Sequence, residues 1–322
     1  MPHNSQYTPR MLGLPEIKSI TDLAFQLRIP QQTIEGFSQR SWSVGYKKFF
    51  IPKKPLGFRV LHAPVRELKF IQVWILRNIL VHLRSSRCST AFEPGNSILD
   101  NAARHIGQSY VMNVDIRDFF PSITANKVFQ IFSSVGYSTE IAWLLTNLLT
   151  FKGRLPQGSP ASPKLANLIC HRLDARIMGY CLQKNMNYSR YADDITISTS
   201  NRVHIKGAIR FLGFVTGAEG FSLRPEKTAV LGRKKAKKIT GLIVSDEVRV
   251  GRRRYREMRA MILQAIVKND VEKLKYIHGY MNFLKDVDVT TFKMLYEYHL
   301  TIKNKIENNV TINVSAESGK AA

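Results

Sequence analysis

The chain has 322 residues, 44% of them apolar, which is enough to bury a sizeable core and to form two or three lobes. Its 48 Lys and Arg against 24 Asp and Glu give a formal net charge of +24, which points to a large polyanion and away from a small neutral ligand. Cys88, Cys170 and Cys181 are odd in number and lack the close pairs of a zinc site, the opening "MPHNSQYTPRM" has no signal-peptide core, and "IAWLLTNLLTF" is too short to cross a bilayer. Together these features predict a reduced, cytoplasmic globular protein with nucleic acid as its partner and no membrane.

In chain order, residues 16 to 40 read as a short helical pair with starts near Thr21-Asp22 and Gln32-Thr33, followed by a hairpin in "KKFFIPKKPLGFRVLHAP". Leu68, Ile71, Ile75, Ile79 and Leu83 recur at helical spacing and predict one helix over 67–83. "SILDNAARHIG" reads as helical and "SYVMNVDIRDFF" as a strand that leaves a loop. "NKVFQIFSSVG" and "EIAWLLTNLL" read as helices, and "PKLANLICHRLDARIMGYC" as a single longer one after a Pro-rich break at 156 to 163. Next come the strand "RYADDITIS" with a partner across a tight turn, the helix "KGAIRFLGFVTGAEG", and a hairpin in "KITGLIVSDEVRVG" with Asp246-Glu247 at its turn. Residues 252 to 307 look wholly helical, with Tyr255, Met258, Ile262 and Ile266 on one face and Val271, Leu274, Ile277, Met281 and Leu284 on another; the polar end 313–322 is expected to fray.

Two adjacent carboxylates, Asp193 and Asp194, stand inside a run of strand-forming residues that should exclude them. A divalent cation makes such a pair stable, and hard cations such as Mg²⁺ take carboxylate oxygens together with substrate phosphates. Neighbours on a regular strand point to opposite faces, so a tight turn at this pair is what brings both acids to one site. Asp115, at the end of the apolar strand "YVMNV", is the candidate third ligand, and Ile116 beside it offers a backbone carbonyl. A lone Asp in that place also reads as a turn or capping residue, as does Asp118.

With these residues in view, the sequence resembles the reverse transcriptases. "VDIRDFF" looks like their first carboxylate motif, "LPQGSPASPKLANL" their nucleotide-pocket motif and "YADD" their second carboxylate motif, in the expected order. The resemblance runs from "LGFRVLHAPVRELKFIQ" to "KITGLIV". It implies an α+β right-hand polymerase fold: an N-terminal helical extension over 1–45, fingers over 46–108, a palm over 109–245 with a fingers insertion around 125–165, a helical thumb over 246–312 and a flexible tail over 313–322.

It further implies two Mg²⁺ ions held by Asp115, Asp193 and Asp194, deoxynucleoside triphosphates as substrates, and Phe120 as the aromatic ring under the incoming sugar, where it would exclude a 2′-hydroxyl. Phe120 also reads as a core residue beside Phe119. Gln157 and Gly158 match the pocket motif, Gly158 for close backbone approach and Gln157 for a polar edge. Arg59 is the candidate triphosphate clamp, with Lys53, Lys54 and Arg66 assisting. Lys227 aligns with a lysine placed to protonate pyrophosphate, and also reads as a solvated surface residue.

A narrower resemblance is to the bacterial retron reverse transcriptases, through "NAARH" (Asn101 to His105) and the triplet "ITG" (Ile239, Thr240 and Gly241) where that family has Val-Thr-Gly. It implies a cognate structured non-coding RNA (msr-msd) held by Asn101, His105 and the triplet, and DNA started from the 2′-hydroxyl of an internal guanosine to give msDNA. A separate effector protein in anti-phage defence is implied as well. Helical spacing would set Asn101 and His105 on one side, where they would offer an amide and an imidazole to the RNA. Residues 224–259 hold thirteen Lys or Arg against four Asp or Glu, a net of +9, with Arg252, Arg253, Arg254 and Arg256 clustered as a phosphate-binding surface. A group II intron-like or diversity-generating reverse transcriptase is the alternative enzyme. Composition alone also permits a basic RNA-binding scaffold without turnover.

Overall fold

The computed structural model describes the backbone of residues 8–52 and 57–318, and the side chains of these except 40–42 and 306–318. Two compact units divide the chain: one runs to Ser97 and resumes over Tyr110–Val230, and the other takes Ile98–Ser109 and continues from Leu231.

The first unit begins with helices α1 (Ile20–Leu27) and α2 (Gln31–Val44). Ser19 and Asp22 exchange side-chain-to-backbone bonds in a capping box, which fixes where α1 starts. The expected hairpin is β1 (Tyr46–Pro52) paired antiparallel with β2 (Phe58–Pro64). Helix α3 (Arg66–Asn78) is shorter than its apolar period suggested. Ile79 leaves helical backbone at φ −121, ψ −63 and a 3-10 turn over Leu80–His82 follows, while Leu68, Ile71, Ile75, Ile79 and Leu80 are all buried. The Asn78 amide donates back to the Trp74 carbonyl, the kind of local bond that competes with helix propagation.

After α4 (Ile98–Ala103), which belongs to the second unit, come β3 (Tyr110–Asp115), the single turn α5 (Phe119–Ser122), α6 (Ala125–Ser134) and α7 (Thr139–Leu149). The predicted long helix over 163–181 is two, α8 (Ser162–Ile169) and α9 (His171–Gln183), broken at Cys170 with ψ near 0. Apolar periodicity runs on across the break because both helices bury apolar residues there, so the pattern alone did not reveal it. "RYADDITIS" likewise divides into β4 (Asn187–Tyr191) and β5 (Asp194–Thr199), with the turn inside the motif. Helix α10 (Val203–Ala218) and the short β6 (Ala229–Leu231) follow, and the sheet order is β4-β5-β3-β6. Strand β5 is buried on both faces, by Ile195 and Ile197 on one and by Thr196 and Ser198 on the other, which fits its central place.

In the second unit, β7 (Lys237–Ile239), β8 (Leu242–Val244) and β9 (Val248–Arg249) form a three-stranded antiparallel sheet. Its first turn is Thr240-Gly241, both at positive φ, the backbone of a type I′ hairpin. Asp246-Glu247 occupies the second turn. Helices α11 (Arg252–Val267), α12 (Val271–Val287) and α13 (Val289–Ser318) bury Met258, Ile262, Ile277, Met281, Leu284 and Leu295 between them. Asp288 links α12 to α13, accepting from Thr291 N–H at 2.9 Å and its hydroxyl at 2.7 Å. Helix α13 runs to Ser318. All three cysteines are free and buried, and among the described residues no helix is long and apolar enough to cross a membrane.

Candidate active site

The three acids meet because of strand register. Asp115 closes β3 directly opposite Asp194, the first residue of β5, and Asp194 is also opposite Tyr191 across the β4–β5 hairpin. Between them Ala192 takes φ +57, so Asp193 falls in a two-residue turn and not on a strand. Ile116 N–H donates to the Asp193 carbonyl at 3.0 Å, joining the end of β3 to that turn. Cross-strand carboxylates repel, and a site that sets them opposite one another needs positive charge.

Two cations supply it. Lys227 Nζ lies 2.6 Å from Asp115 Oδ2, and Arg224 Nε lies 3.3 Å from Oδ1 while its Nη2 reaches Asp118 Oδ1 at 3.0 Å. The Arg224 N–H also bonds the Asp115 carbonyl, which ties the segment carrying both cations to the end of β3. Arg224 was not singled out from the sequence; its signal was only that it precedes Lys227 by three residues. Asp115 Oδ1 is buried and accepts no hydrogen bond, since the Arg224 contact is an unaligned charge attraction, and such an atom suits a cation ligand. Among the described residues no group of three or more His, Cys, Asp or Glu side chains is arranged closely enough to hold a metal ion by itself.

Loss of hydration, followed by the neighbouring carboxylates, pushes the Asp194 carboxyl up to about 6; Asp193 is also raised, by loss of hydration first and then by Asp115. A carboxyl raised on folding is protonated more readily in the native state, so its contribution to stability is greatest at low pH and is lost as pH climbs from the ordinary aspartate value toward the folded one. Asp194→Asn is therefore expected to raise the thermal midpoint in EDTA at neutral pH and to flatten its decline between about pH 4 and 6. Thermal melts across that range check it, and a slope equal to the wild type's would count against the repulsion.

Around the acids, Phe120 on α5 is half-buried, with ring centroids 5.4 Å from Phe119 and 6.4 Å from Phe92. Phe92, exposed and at φ +62, went unnoticed in the sequence. Its signal lies in backbone strain, which composition does not carry. Gly158 has φ +132, and the close approach it allows in this structure is to the β2 backbone: a Cβ there would lie 2.8 Å from the His62 carbonyl oxygen. The Gln157 carbonyl accepts from His62 N–H at 2.9 Å. Arg59 is exposed on β2 and Arg66 exposed at the start of α3, while Lys53 and Lys54 lie outside the described residues.

The RNA-facing expectations fare differently. Asn101 and His105 are 1% and 0% exposed, and His105 lies beyond the end of α4, so they do not present an amide and an imidazole on one open helix face. Burial takes the His105 imidazole down to about 3, leaving it neutral and packed inside the second unit. Ile239 is buried too, whereas Gly241 is exposed and the half-buried Thr240 donates its hydroxyl to the Ile98 carbonyl. Arg252, Arg253 and Arg256 are exposed. Arg254 is instead built into the helical packing, bonding the Tyr276 hydroxyl at 2.6 Å and lying over the Tyr280 ring.

Residues 51–244 match the family described as reverse transcriptase (RNA-dependent DNA polymerase). The chain is 40% identical over 307 residues to the Retron Ec86 reverse transcriptase of Escherichia coli, covering 93% of this chain and 94% of that one. It is 32% identical to the Retron Mx65 reverse transcriptase of Myxococcus xanthus, over 85% of this chain and 69% of that one. Among solved structures, telomerase from Candida albicans superposes with a TM-score of 0.50 at 11% identity, covering 86% of this chain and 62% of that one, a likeness of fold. The fold is the right-hand polymerase fold. Since the likeness to a retron enzyme extends over nearly the whole chain and not just its acidic strands, this chain belongs to the retron reverse transcriptases and is an RNA-directed DNA polymerase.

Proposed function

We propose that the chain copies part of a cognate structured non-coding RNA into single-stranded DNA, starting from the 2′-hydroxyl of an internal guanosine so that the msDNA product stays joined to its template. The observation that carries the chemistry is the cross-strand pairing of Asp115 with Asp194, with Asp193 in the adjoining turn. These carboxylates are ligands for two Mg²⁺ ions and not acid–base groups. Bound Mg²⁺ supplies a lowered pKa at the priming hydroxyl and charge stabilisation on the leaving pyrophosphate.

Lys227, 2.6 Å from Asp115, would protonate the leaving pyrophosphate. Arg59 clamps the triphosphate of the incoming deoxynucleotide, with Gln157 and Gly158 holding the pocket against β2. A structured RNA is gripped through the Thr240-Gly241 turn and the exposed arginines Arg252, Arg253 and Arg256, while Asn101 and His105 support that unit from inside. In this assignment the fingers take 46–108, the palm 109–245 with its insertion around 125–165, and the thumb 246–312, after an N-terminal extension to residue 45; the second compact unit draws on all three, through Ile98–Ser109 and the chain from Leu231. The setting is the bacterial cytoplasm, and the partner in phage defence is a separate effector chain.

The test is to sequence the RNA that copurifies with the chain, supply Mg²⁺ and deoxynucleotides, and map the junction between RNA and new DNA. A 2′–5′ branch at one internal guanosine is expected. Extension from annealed 3′ ends alone would favour intron-type priming, and absence of any DNA would leave only an RNA-binding role. Phe120→Ala is expected to admit ribonucleotides by roughly one to two orders of magnitude, since the ring leaves no room for a 2′-hydroxyl. Single-turnover incorporation of matched deoxy- and ribonucleotides checks it, and unchanged discrimination returns Phe120 to the core.

A further inference from the structure

Arg190, two residues ahead of the turn, is completely buried, and so is its partner Asp174 on α9. Its Nε and Nη2 donate to the two oxygens of Asp174 at 2.8 Å each, and Tyr188 donates its hydroxyl to the same carboxylate at 2.6 Å. The third nitrogen, Nη1, donates to the Ala192 carbonyl at 3.0 Å and to Asn167 Oδ1 at 3.2 Å. A buried ion pair is in general no more stabilising than apolar side chains of the same volume, so its presence directs attention to the contact with the turn that apolar groups cannot make. That contact is the bond to Ala192, the left-handed residue of the turn and the one immediately before Asp193.

The turn is thereby held from two directions, by Arg190 at the Ala192 carbonyl and by Ile116 N–H at the Asp193 carbonyl. The same cluster reaches a second left-handed residue. Asn167 Oδ1 also accepts from Ser89 at 2.7 Å, and its Nδ2 donates to the Ala91 carbonyl at 2.8 Å, beside Phe92, whose ring faces Phe120. We propose that Arg190, oriented by Asp174, is a positioning residue that sets the Tyr191–Asp194 turn in its metal-binding conformation before any metal arrives. This inference rests on the reading of Asp193 and Asp194 as metal ligands.

The test uses the full chain and two readouts, Mn²⁺ bound to RNA-free protein by electron paramagnetic resonance and the Mg²⁺ concentration giving half-maximal primer extension, with the thermal midpoint alongside. Arg190→Met with Asp174→Leu is made in a Tyr188→Phe background so that no hydroxyl is stranded, and Arg190→Lys keeps a cation for Asp174 with too little reach to span to Ala192 as well. Both are expected to weaken Mn²⁺ binding and raise the Mg²⁺ requirement about tenfold or more, the usual scale for a lost support of a metal ligand. Tyr188→Phe alone removes a bond to Asp174 without touching the turn, and is expected to lower the thermal midpoint and leave both metal readouts unchanged. Wild-type metal responses in a folded Arg190 variant, or an equal shift in Tyr188→Phe, would overturn the proposal. Arg190→Lys decides alone if the apolar replacement fails to fold. Asp194→Asn separates the two levels: if it binds Mn²⁺ as the wild type does, the ligand reading itself has failed, whatever Arg190 shows.

Discussion

Asp193→Asn and Asp194→Asn are each expected to reduce DNA synthesis by about a thousandfold or more while RNA binding persists, because each replacement would remove charge proposed to hold metal and leave shape nearly intact. The exposed arginines of α11 proposed to hold RNA keep their charge in both variants. Single-turnover primer extension and filter binding at matched salt measure the two effects. Wild-type extension by either variant would end the metal-site reading. Asp115→Asn is expected to lose synthesis equally but to differ in stability. Asp194 faces other acids, and its neutral form relieves repulsion. Asp115 faces Lys227 and Arg224, and neutralising it removes the carboxylate that both cations contact, leaving Lys227 without this partner and Arg224 with Asp118. In EDTA the thermal midpoint should therefore fall for Asp115→Asn and rise for Asp194→Asn, a contrast that a general loss of folding cannot produce.

The acids were legible because their chemistry conflicts with their surroundings: Asp193 and Asp194 within a strand-forming run demanded a turn and a cation, and the turn is there, at Ala192-Asp193. The hairpin of β1 and β2 was legible from its breakers, and the thumb-region helices from their apolar faces. What was not legible depends on partners distant in sequence. Asp174 in a helical stretch gives no sign that it meets Arg190, and Asn167 none that it bonds Ala91. Helical spacing set Asn101 and His105 on one open face, but α4 ends at Ala103 and both residues are buried, which no local period reports. The break at Cys170 was hidden for the opposite reason, since burial continues through it.

Gly158 is where the proposed nucleotide pocket is most open to test, through a backbone contact. In Gly158→Ala the new Cβ would lie 2.8 Å from the His62 carbonyl oxygen, 3.1 Å from its carbon and 3.4 Å from Ala63 Cα, all of them backbone atoms in a paired strand that cannot swing aside. The φ of +132 adds a conformation that L residues rarely adopt. The loop is fixed on its other side by His62 N–H bonding the Gln157 carbonyl, and His62 itself is stacked on Phe151 with centroids 4.4 Å apart. Strain of this kind costs about 2 to 4 kcal/mol, and relief has to come from separating the loop from β2, the strand that carries Arg59. The expected result is a thermal midpoint lower by about 5 to 10 °C and a raised KM for deoxynucleotides, with kcat less affected. Gly153→Ala is the control: its φ is +70 and a Cβ there meets nothing within 4 Å, so it bears only the backbone term, about 1 kcal/mol, and should leave KM unchanged. Equal losses in the two variants would mean that backbone conformation alone matters at Gly158, and that its contact with β2 does not shape the nucleotide pocket.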